Sequence, residues 1–273
     1  MKPIKFRTVI ALLFLYGITI STVSAKPSYK SEILKAANVK KSGAYVREKF
    51  VSLLGKTFDD SSQKKVLIIG DSHAQDFINM AYESGHFANY QVKTRHIPTG
   101  CQVILVDNAE QYIEEKLTDL CEKSDSLEKA LDQIKQADIL ILVANWTEWS
   151  AKELPNTIKN LNLNDNQTLY IIGRKSFGKL NIRKLVRKSK NDLLKIENKT
   201  DAKQETINKI MRSNLSKDIY VDFQNIICGT EDKCKIFTDD IHLITFDGGH
   251  LTKNGAIFLG KRLFDESILK NLE

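Results

Sequence analysis

The chain has few of the features that divide a protein into parts or hold a metal ion. Its 273 residues include only four prolines and four cysteines, and no internal repeat, low-complexity tract or proline-rich linker interrupts them. No Cys-x-x-Cys pair occurs, which argues against a zinc site. We therefore predict one domain with its own hydrophobic core, and we expect neither a metal nor a cofactor.

The chain also lacks an apolar run long enough for a comfortable membrane span, which takes about 20 residues. The apolar stretch 9–20 has about a dozen residues and follows three basic residues at the N-terminus. Residues 23–25, Val-Ser-Ala, resemble the small-x-small site that signal peptidase cuts. We predict a signal peptide over 1–25, with an uncleaved N-terminal anchor as the alternative. Either segment places the remaining chain in the periplasm or outside the cell.

A strong excess of one charge is missing as well. The formal net charge is +7, and loss of the three cations of the leader leaves about +4 on the mature chain. This mild excess is compatible with anionic glycans or membrane surfaces. The densest basic run, 183–190, is predicted to be a solvated helix face. Export and the lack of aromatic residues among these cations argue against nucleic-acid binding.

Export makes disulfides the expected state of the cysteines. The four cysteines allow three pairings, and they are Cys101, Cys121, Cys228 and Cys234. Cys228 and Cys234 flank a short polar segment, Gly-Thr-Glu-Asp-Lys, that can loop back on itself. We predict that these two form one disulfide, which leaves Cys101 and Cys121 for the other.

Strand and helix signals alternate along the chain. Five apolar runs are predicted to be strands, at 66–69, 90–97, 139–144, 168–172 and 218–223. Helix signals lie between and after them, at 74–84, 126–136, 154–161, 180–215 and 253–269. The stretch 180–215 is predicted to hold one or two helices with an irregular join near Asn198. The alternation predicts a three-layer α/β/α sandwich around a central, mainly parallel, five-stranded sheet.

Polar residues follow several of these strands where each one ends. Ser72 comes after the first strand, Gly100 after the second and Asn145 after the third, while Asp247 and His250 precede the last helix. Ligands of a parallel sheet collect beyond the carboxyl ends of its strands. We therefore expect these five residues to meet at one edge of the sheet.

Three of these residues form the set that activates a serine. A serine hydroxyl is a poor nucleophile until an imidazole takes its proton and a carboxylate holds the imidazole. Ser72, His250 and Asp247 supply these groups and predict an ester hydrolase or an acyl-transfer enzyme. As an alternative, Ser72 serves only to cap the following helix. His73 is expected to pack or hydrogen-bond locally, with a catalytic role as the alternative. Asp71 is expected to brace the turn by accepting backbone hydrogen bonds.

The motifs at both ends of the chain resemble those of one family. Gly-Asp-Ser-His-Ala at 70–74 resembles the first block of the SGNH (GDSL-like) hydrolases, and Asp-Gly-Gly-His-Leu at 247–251 resembles their closing DxxH block. Closer still is the SGNH domain that is fused to, or works with, membrane acyltransferases that O-acylate bacterial surface polysaccharides. Those domains often have a Gly-Cys turn after the second strand, as at 99–101, and a cysteine pair before DxxH. The likeness spans roughly 65–263.

This resemblance implies roles for individual residues. Ser72 would be the nucleophile, His250 the general base and Asp247 the carboxylate that holds His250. The Ser72 and Gly100 backbone N–H groups and the Asn145 side-chain amide would stabilise the oxyanion. The resemblance also implies a flavodoxin-like fold and an exported enzyme that hydrolyses or transfers acyl groups, especially O-acetyl groups, on a polysaccharide or lipid-linked glycan. A membrane acyltransferase is the implied protein partner.

The expected organisation is a leader over 1–25, a helical N-terminal extension over 26–64 and an SGNH hydrolase domain over 65–273. Trp146 and Trp149 follow the third strand, where their rings could stack on a sugar, with core or lid packing as the alternative. Two other functions are alternatives to the carbohydrate esterase or acyltransferase. One is a catalytically silent glycan-binding or assembly protein of the same fold, and the other is a lipolytic esterase.

Overall fold

The computed structural model of the chain describes residues 28–55, 57–229 and 232–272. The predicted leader lies outside these residues. The described strands are β1 (Lys65–Gly70), β2 (Gln91–His96), β3 (Ile139–Val143), β4 (Thr168–Ile172), β5 (Glu197–Lys199), β6 (Tyr220–Val221) and β7 (Lys233–Lys235). Five of them form one sheet in the order β2-β1-β3-β4-β6, and every neighbouring pair in it is parallel. The predicted five-stranded sheet is confirmed.

Helices surround this sheet. They are α1 (Tyr29–Ala36), α2 (Val39–Ser52), α3 (Ser72–Glu83), α4 (Thr118–Lys123), α5 (Leu127–Ile134), α6 (Glu148–Leu161), α7 (Ile182–Leu185), α8 (Lys190–Leu194), α9 (Ala202–Asn214), α10 (Phe223–Cys228) and α11 (Lys253–Asp265). Short 3₁₀ segments lie at Ala109–Tyr112, Glu115–Leu117 and Ile268–Asn271.

The sheet is buried on both faces because successive side chains of a strand point to opposite sides. In β1, Val66 and Ile68 pack into a core cluster that includes apolar residues of α2, α3 and α11. Leu67 and Ile69 pack into a second cluster with apolar residues of α5, α6 and α9. Full burial of each such side chain contributes about 1.5–3 kcal/mol. The two clusters lie on opposite faces of the sheet, so the sheet and the helices on each side form the three predicted layers.

The stretch 180–215 differs from its prediction. It contains three helices, α7, α8 and α9, which begin after the side-chain caps Asn181, Ser189 and Asp201. The expected irregular join near Asn198 is strand β5, which pairs antiparallel with β7. The three residues of β5 are all polar and show no apolar periodicity. The strand therefore forms because it pairs with β7, and no pattern in its own sequence predicts it.

Other element boundaries differ by several residues. Helix α6 begins at Glu148 rather than at 154, because Thr147 and Ser150 form a capping box before it. The last strand of the sheet is only two residues long, and the unpredicted helix α10 follows it directly. These short elements depend on cap residues, which a search for apolar periodicity does not detect.

Both predicted disulfides are confirmed. Cys101 bonds to Cys121, and Cys228 bonds to Cys234. The first disulfide joins the segment after β2 to α4, and the second joins the end of α10 to β7. Within the part of the chain that the structure describes, no helix combines the length and the apolar character needed to cross a membrane.

Candidate active site

The strand order creates a crevice where the chain changes direction across the sheet. From β1 the chain moves to β2 on one side and then to β3 on the other, so the switch point lies between β1 and β3. In open α/β sheets, ligands bind beyond the carboxyl ends of the strands at such a point. Ser72 follows β1 and Asn145 follows β3. At their carboxyl ends, β1 and β3 lie so close together that a Cβ on Gly70 would stand 1.7 Å from the Val143 carbonyl oxygen.

The buried carboxylate of Asp71 joins three segments at this crevice. Its Oδ1 atom accepts a hydrogen bond of 2.8 Å from the His73 backbone N–H and so caps α3. Its Oδ2 atom accepts one of 2.7 Å from the Thr99 hydroxyl and one of 2.9 Å from the Asn145 backbone N–H. Asp71 therefore holds together the ends of β1, β2 and β3, which is a wider role than bracing one turn. Because Asp71 is the N-cap of α3, the alternative in which Ser72 serves as the cap is wrong.

Three hydrogen-bond donors near the residues that Asp71 contacts have no acceptor among the described residues. Ser72 follows Asp71 directly, Gly100 follows Thr99, and the Asn145 side chain belongs to a residue that Asp71 holds through the backbone. Among the described residues, no acceptor bonds to the Ser72 or Gly100 backbone N–H or to the Asn145 side-chain amide. The Ser72 hydroxyl is half-buried and likewise makes no hydrogen bond there. The predicted nucleophile and oxyanion donors are thus available at one edge of the sheet.

Gln102 is a residue of this edge that sequence reasoning missed. Its side-chain amide donates hydrogen bonds to the Thr99 and Asn145 carbonyl oxygens, the latter at 3.4 Å. Its side-chain oxygen accepts bonds of 3.2 Å from the Thr147 N–H and 2.6 Å from the Ser150 hydroxyl. Gln102 is buried and has a φ of 57°, a backbone conformation that is uncommon for residues other than glycine. It links the segment after β2 to the segment after β3, and no recognisable motif marks it.

The DxxH block forms a tight loop before α11. The His250 Nδ1 atom lies 2.7 Å from Asp247 Oδ2, and Asp247 Oδ1 accepts bonds from the backbone N–H groups of Gly249 and His250. Gly248 has a φ of 95°, and a Cβ on it would lie 2.0 Å from the Gly178 carbonyl oxygen. Only glycine fits this position, since both the conformation and the close approach exclude a side chain. The loop therefore fixes which nitrogen of His250 faces the carboxylate.

The two side chains shift each other's pKa in the directions that a base and its supporting carboxylate require. Partial burial acts to raise the pKa of Asp247, but hydrogen bonds from the His250 ring and from backbone N–H groups outweigh it and lower the pKa to about 2. The hydrogen bond to Asp247 raises the pKa of His250 above its ordinary value of 6.5, against the opposing effect of burial. Asp247 is therefore ionised at neutral pH and stabilises the protonated form of His250.

A buried ion pair attaches the DxxH loop to α3. The Lys175 ammonium lies 2.7 Å from Asp76 Oδ2, and both side chains are almost wholly buried. Lys175 Nζ also donates a bond of 2.6 Å to the Gly249 carbonyl oxygen, and Asp76 Oδ1 accepts one of 3.1 Å from the Leu251 N–H. The Asp76 Oδ2 atom accepts no well-directed hydrogen bond from the described residues, so its contact with Lys175 is a charge pair. The pair holds both neighbours of His250 against the helix that begins at Ser72.

This attachment brings the two motif blocks together. The rings of His73 and His250 meet edge to face with their centroids 6.4 Å apart. Burial first, and then the nearby charge of Lys175, lower the pKa of His73 well below 6.5, so His73 is neutral at physiological pH. No hydrogen bond joins the Ser72 hydroxyl and the His250 ring in the described chain. Catalytic hydrogen bonds often tighten only when substrate binds.

The family of this chain follows from a comparison of its sequence with family models. A model described as "SGNH domain (fused to AT3 domains)" matches residues 45–265, from within α2 to the end of α11. The chain belongs to this SGNH family. No curated protein matches the chain. The family is one of esterase- and acyltransferase-type hydrolases, and its domain is associated with membrane acyltransferases.

Within this SGNH domain the two tryptophans after β3 have different surroundings. Trp146 is fully buried, and its indole N–H donates a bond of 2.8 Å to the Ile172 carbonyl oxygen. This position favours the alternative of core packing and leaves no ring face for a sugar. Trp149 is half-buried and stacks on Tyr112 with the ring centroids 4.7 Å apart. The sequence alone gave no indication of Tyr112 as the partner of Trp149.

Proposed function

We propose that this SGNH protein is an exported serine esterase or O-acyltransferase that acts on acyl esters of carbohydrate. Its substrate would be a cell-surface polysaccharide or a lipid-linked glycan, and an O-acetyl group is the acyl group we favour. The observation that carries the proposal is the His250–Asp247 pair. Its ring nitrogen and carboxylate oxygen are 2.7 Å apart, and its loop is attached by a buried ion pair to the helix that begins at Ser72.

In the proposed reaction the Ser72 hydroxyl oxygen attacks the acyl carbonyl carbon while His250 takes the hydroxyl proton. The negative charge that develops on the carbonyl oxygen is stabilised by the Ser72 and Gly100 backbone N–H groups and the Asn145 amide. The ester C–O bond then breaks, and the leaving alcohol receives the proton from His250. Water or a sugar hydroxyl next attacks the acyl carbon and gives its proton to His250. The bond between the acyl carbon and the Ser72 oxygen then breaks, and His250 returns the proton to Ser72 as the acid or the new ester leaves. Asp247 stabilises the imidazolium in both halves.

Two further observations support an exported enzyme that works beside a membrane acyltransferase. The described residues contain two disulfides, which persist mainly in oxidising compartments. The family model describes domains fused to AT3 acyltransferase domains. We propose that such an acyltransferase supplies the acyl group or the acylated glycan, either as part of the same chain or as a partner.

The proposal is tested by measuring acetate release from p-nitrophenyl acetate and covalent labelling by a fluorophosphonate probe. Ser72→Ala should abolish the labelling and lower turnover to the background rate, because it removes the hydroxyl that is proposed to attack the acyl carbon. Ser213→Ala is the matched control, since its hydroxyl is exposed on α9 and bonds only locally. This control should label and turn over like the unaltered protein.

Labelling of the Ser72→Ala variant at the original rate would contradict the proposed nucleophile. An unaltered protein that binds glycan but neither labels nor releases acetate would favour the catalytically silent alternative. Turnover that requires an added sugar acceptor, with acetyl groups appearing on that sugar, would identify the protein as a transferase rather than an esterase.

A further inference from the structure

The segment 179–195 has an unusually one-sided charge. Between β4 and β5 it carries seven cations and one carboxylate, that of Asp192. All seven cations are exposed, and they are Lys179, Arg183, Lys184, Arg187, Lys188, Lys190 and Lys195. We call 179–195 the cationic segment. Within the described part of the chain, none of its cations pairs with a carboxylate, although other cations such as Arg212 have two such partners.

The fold holds this charge in place. Leu185 and Leu193 of the cationic segment are buried in the core cluster that also contains residues of α3 and α11. Asn181 and Ser189 cap its two short helices. The single carboxylate, Asp192, accepts a hydrogen bond of 2.7 Å from the Ser189 hydroxyl and so faces its own helix start, where the Ser189 oxygen accepts one of 3.2 Å from the Asp192 backbone N–H. Like charges held close together repel each other, so an ordered array with seven cations and a single carboxylate suits an anionic ligand.

Backbone contacts connect the start of the cationic segment to the loop that carries His250. The Phe177 backbone N–H donates a bond of 2.8 Å to the Gly248 carbonyl oxygen. Gly178 lies against Gly248 so closely that a Cβ on Gly248 would stand 2.0 Å from the Gly178 carbonyl oxygen. Lys179 is the next residue. A polymer bound along the cationic segment therefore has its nearer end beside the DxxH loop.

Helix α1 extends the same positive surface. The Tyr29 hydroxyl donates a bond of 3.1 Å to the Lys188 carbonyl oxygen. The Lys190 and Lys30 ammonium groups lie 5.4 and 5.8 Å from the centre of the Tyr29 ring. Such cation–aromatic contacts order lysines whose charges stay accessible to solvent. Lys30 adds an eighth cation beside the cationic segment.

We propose that the cationic segment binds the carboxylate or phosphate groups of an anionic polysaccharide and leads that polymer to His250. This inference deepens the proposed function and rests on it for the chemistry at Ser72. A glycan fits better than a membrane surface, because an interfacial membrane helix needs an apolar face on its outer side. The leucines Leu185 and Leu193 point into the core instead. Leu194 is the single large apolar side chain of the segment that is strongly exposed among the described residues.

The test compares two variants with the same change of net charge. In the segment variant, four cations become glutamine: Arg183→Gln, Lys184→Gln, Arg187→Gln and Lys188→Gln. In the matched control, four exposed and unpaired lysines elsewhere on the described chain are changed: Lys209→Gln, Lys217→Gln, Lys261→Gln and Lys270→Gln. Binding of fluorescently labelled polygalacturonate and of polyphosphate is measured by anisotropy at low and at physiological salt. Vesicles of phosphatidylglycerol and neutral dextran are tested in parallel.

We expect the segment variant to weaken binding of a polyanion by about tenfold or more at low salt, and the control by much less. Raising the salt should weaken binding by the unaltered protein and reduce the difference between the variants, because exposed charges are screened. Equal losses in the two variants would overturn the proposal, since net charge alone would then explain binding. No binding of either polyanion by the unaltered protein, or binding of the vesicles without the polyanions, would overturn it as well.

The assay separates this inference from the proposed enzyme. Ser72→Ala should bind polygalacturonate like the unaltered protein, because binding does not need the nucleophile. The segment variant should hydrolyse the small neutral ester p-nitrophenyl acetate at the unaltered rate. If the protein binds polyanions through the cationic segment but turns over no ester, the proposed catalysis fails and the binding site stands. If turnover depends on Ser72 but the segment variant binds polyanions normally, the proposed catalysis stands and the proposed binding site fails.

Discussion

The nucleophile and the base of the proposed site are held in place by different kinds of contact. On the Ser72 side, Asp71 and Gln102 distribute several hydrogen bonds over the segments that follow β1, β2 and β3. On the His250 side, one buried ion pair, Asp76 with Lys175, contacts both neighbours of the histidine. The first arrangement is a redundant set of hydrogen bonds, whereas the second concentrates charge in one buried pair, although bonds such as that from the Phe177 N–H to the Gly248 carbonyl oxygen also hold the loop.

This difference predicts how each side responds to a single substitution. A lost hydrogen bond typically costs about 0.5–1.5 kcal/mol between uncharged groups, such as those of Gln102, and about 1.5–3 kcal/mol when one partner is charged. After a single bond is lost, the remaining bonds on the Ser72 side still connect the same segments. Removal of one partner from a buried ion pair leaves an uncompensated charge in the core. We therefore expect substitutions on the His250 side to have the larger effects, and the predictions below test that order.

Apart from removal of the nucleophile itself, the largest expected effect on catalysis is that of Asp247→Asn. An amide in place of the carboxylate no longer stabilises the imidazolium and can hold the wrong tautomer, which lowers kcat by on the order of 10⁴-fold in a comparable triad. Acetate release under saturating substrate measures this loss. Asp265→Asn, at the exposed end of α11, is the control and should leave kcat unchanged.

Asp247→Asn should also shift the pH dependence of kcat/KM in a definite direction. His250 acts as a base only when it is neutral, and Asp247 raises its pKa above 6.5. In the unaltered protein the acid limb of kcat/KM should therefore lie above pH 6.5, since this profile reports the pKa of the free enzyme. Asp247→Asn should move that limb to lower pH. A limb that stays in place would mean that Asp247 does not set the pKa of His250.

Lys175→Met should have the next largest effect, on stability as well as on rate. It leaves the Asp76 carboxylate buried without a counter-charge, which costs about 3–5 kcal/mol. The free energy of unfolding is measured by urea denaturation. Lys152→Met is the matched control, because Lys152 pairs with Glu148 at an exposed position on α6 and its removal should cost about 1 kcal/mol or less.

The double variant Asp76→Asn with Lys175→Met distinguishes charge from shape. Neutralising both partners removes the uncompensated charge, so part of the lost stability should return. The His250 loop would still lack its contacts at Gly249, so turnover should remain low. If the double variant is as unstable as Lys175→Met alone, the cost lies in packing around the methionine, and the comparison between the two sides of the site fails.

The strands of the central sheet and the two motif blocks could be predicted from the sequence because each depends on a local pattern. The run Val66–Ile69 is apolar and β-branched, and Gly70 ends it at the point where β3 comes too close for a side chain. The spacing of Asp247 and His250 is short enough for one loop to bring them together. The pairing of Cys228 with Cys234 likewise depends on a short loop, with a sequence separation of 6.

The supporting residues could not be predicted because their partners are far away along the chain. Asp76 and Lys175 are 99 positions apart along the chain, and an isolated carboxylate within a helix gives no sign that it is buried. Gln102 is equally unmarked, and its strained backbone is evident only from its φ. Strand β5 was missed for the same reason, since its antiparallel partner lies beyond α9 and α10. Long-range contacts of polar residues carry no periodic signal.

Asn145→Ala tests the Ser72 side and should have a smaller effect than Asp247→Asn. The substitution removes one oxyanion donor but keeps the backbone N–H that bonds to Asp71, so the segment stays in place. Loss of one such donor typically lowers kcat by about 10²–10³-fold. KM for p-nitrophenyl acetate should change little, because the donor acts on charge that develops in the transition state. An unchanged kcat would remove Asn145 from the proposed oxyanion hole.

Gln102→Met should have the smallest effect of the series, because Asp71 connects the same two segments that Gln102 connects. Methionine keeps the volume of the side chain but makes none of the four hydrogen bonds, so the segments with Gly100 and Asn145 lose one of their two links. A displacement of about 1 Å in an active site can cost on the order of 100-fold in rate. Because Asp71 still holds both segments, we expect only about a tenfold loss in kcat.

The control for Gln102 is Ser150→Ala, which removes the hydrogen bond to the Gln102 oxygen and the Ser150 part of the capping box of α6 but keeps the amide contacts that reach across the crevice. It should lower kcat by less than Gln102→Met does. A loss from Gln102→Met as large as that from Asn145→Ala would mean that Asp71 alone cannot position the oxyanion donors. The Ser72 side would then depend on a single residue as strongly as the His250 side depends on its ion pair, and the contrast between them would disappear.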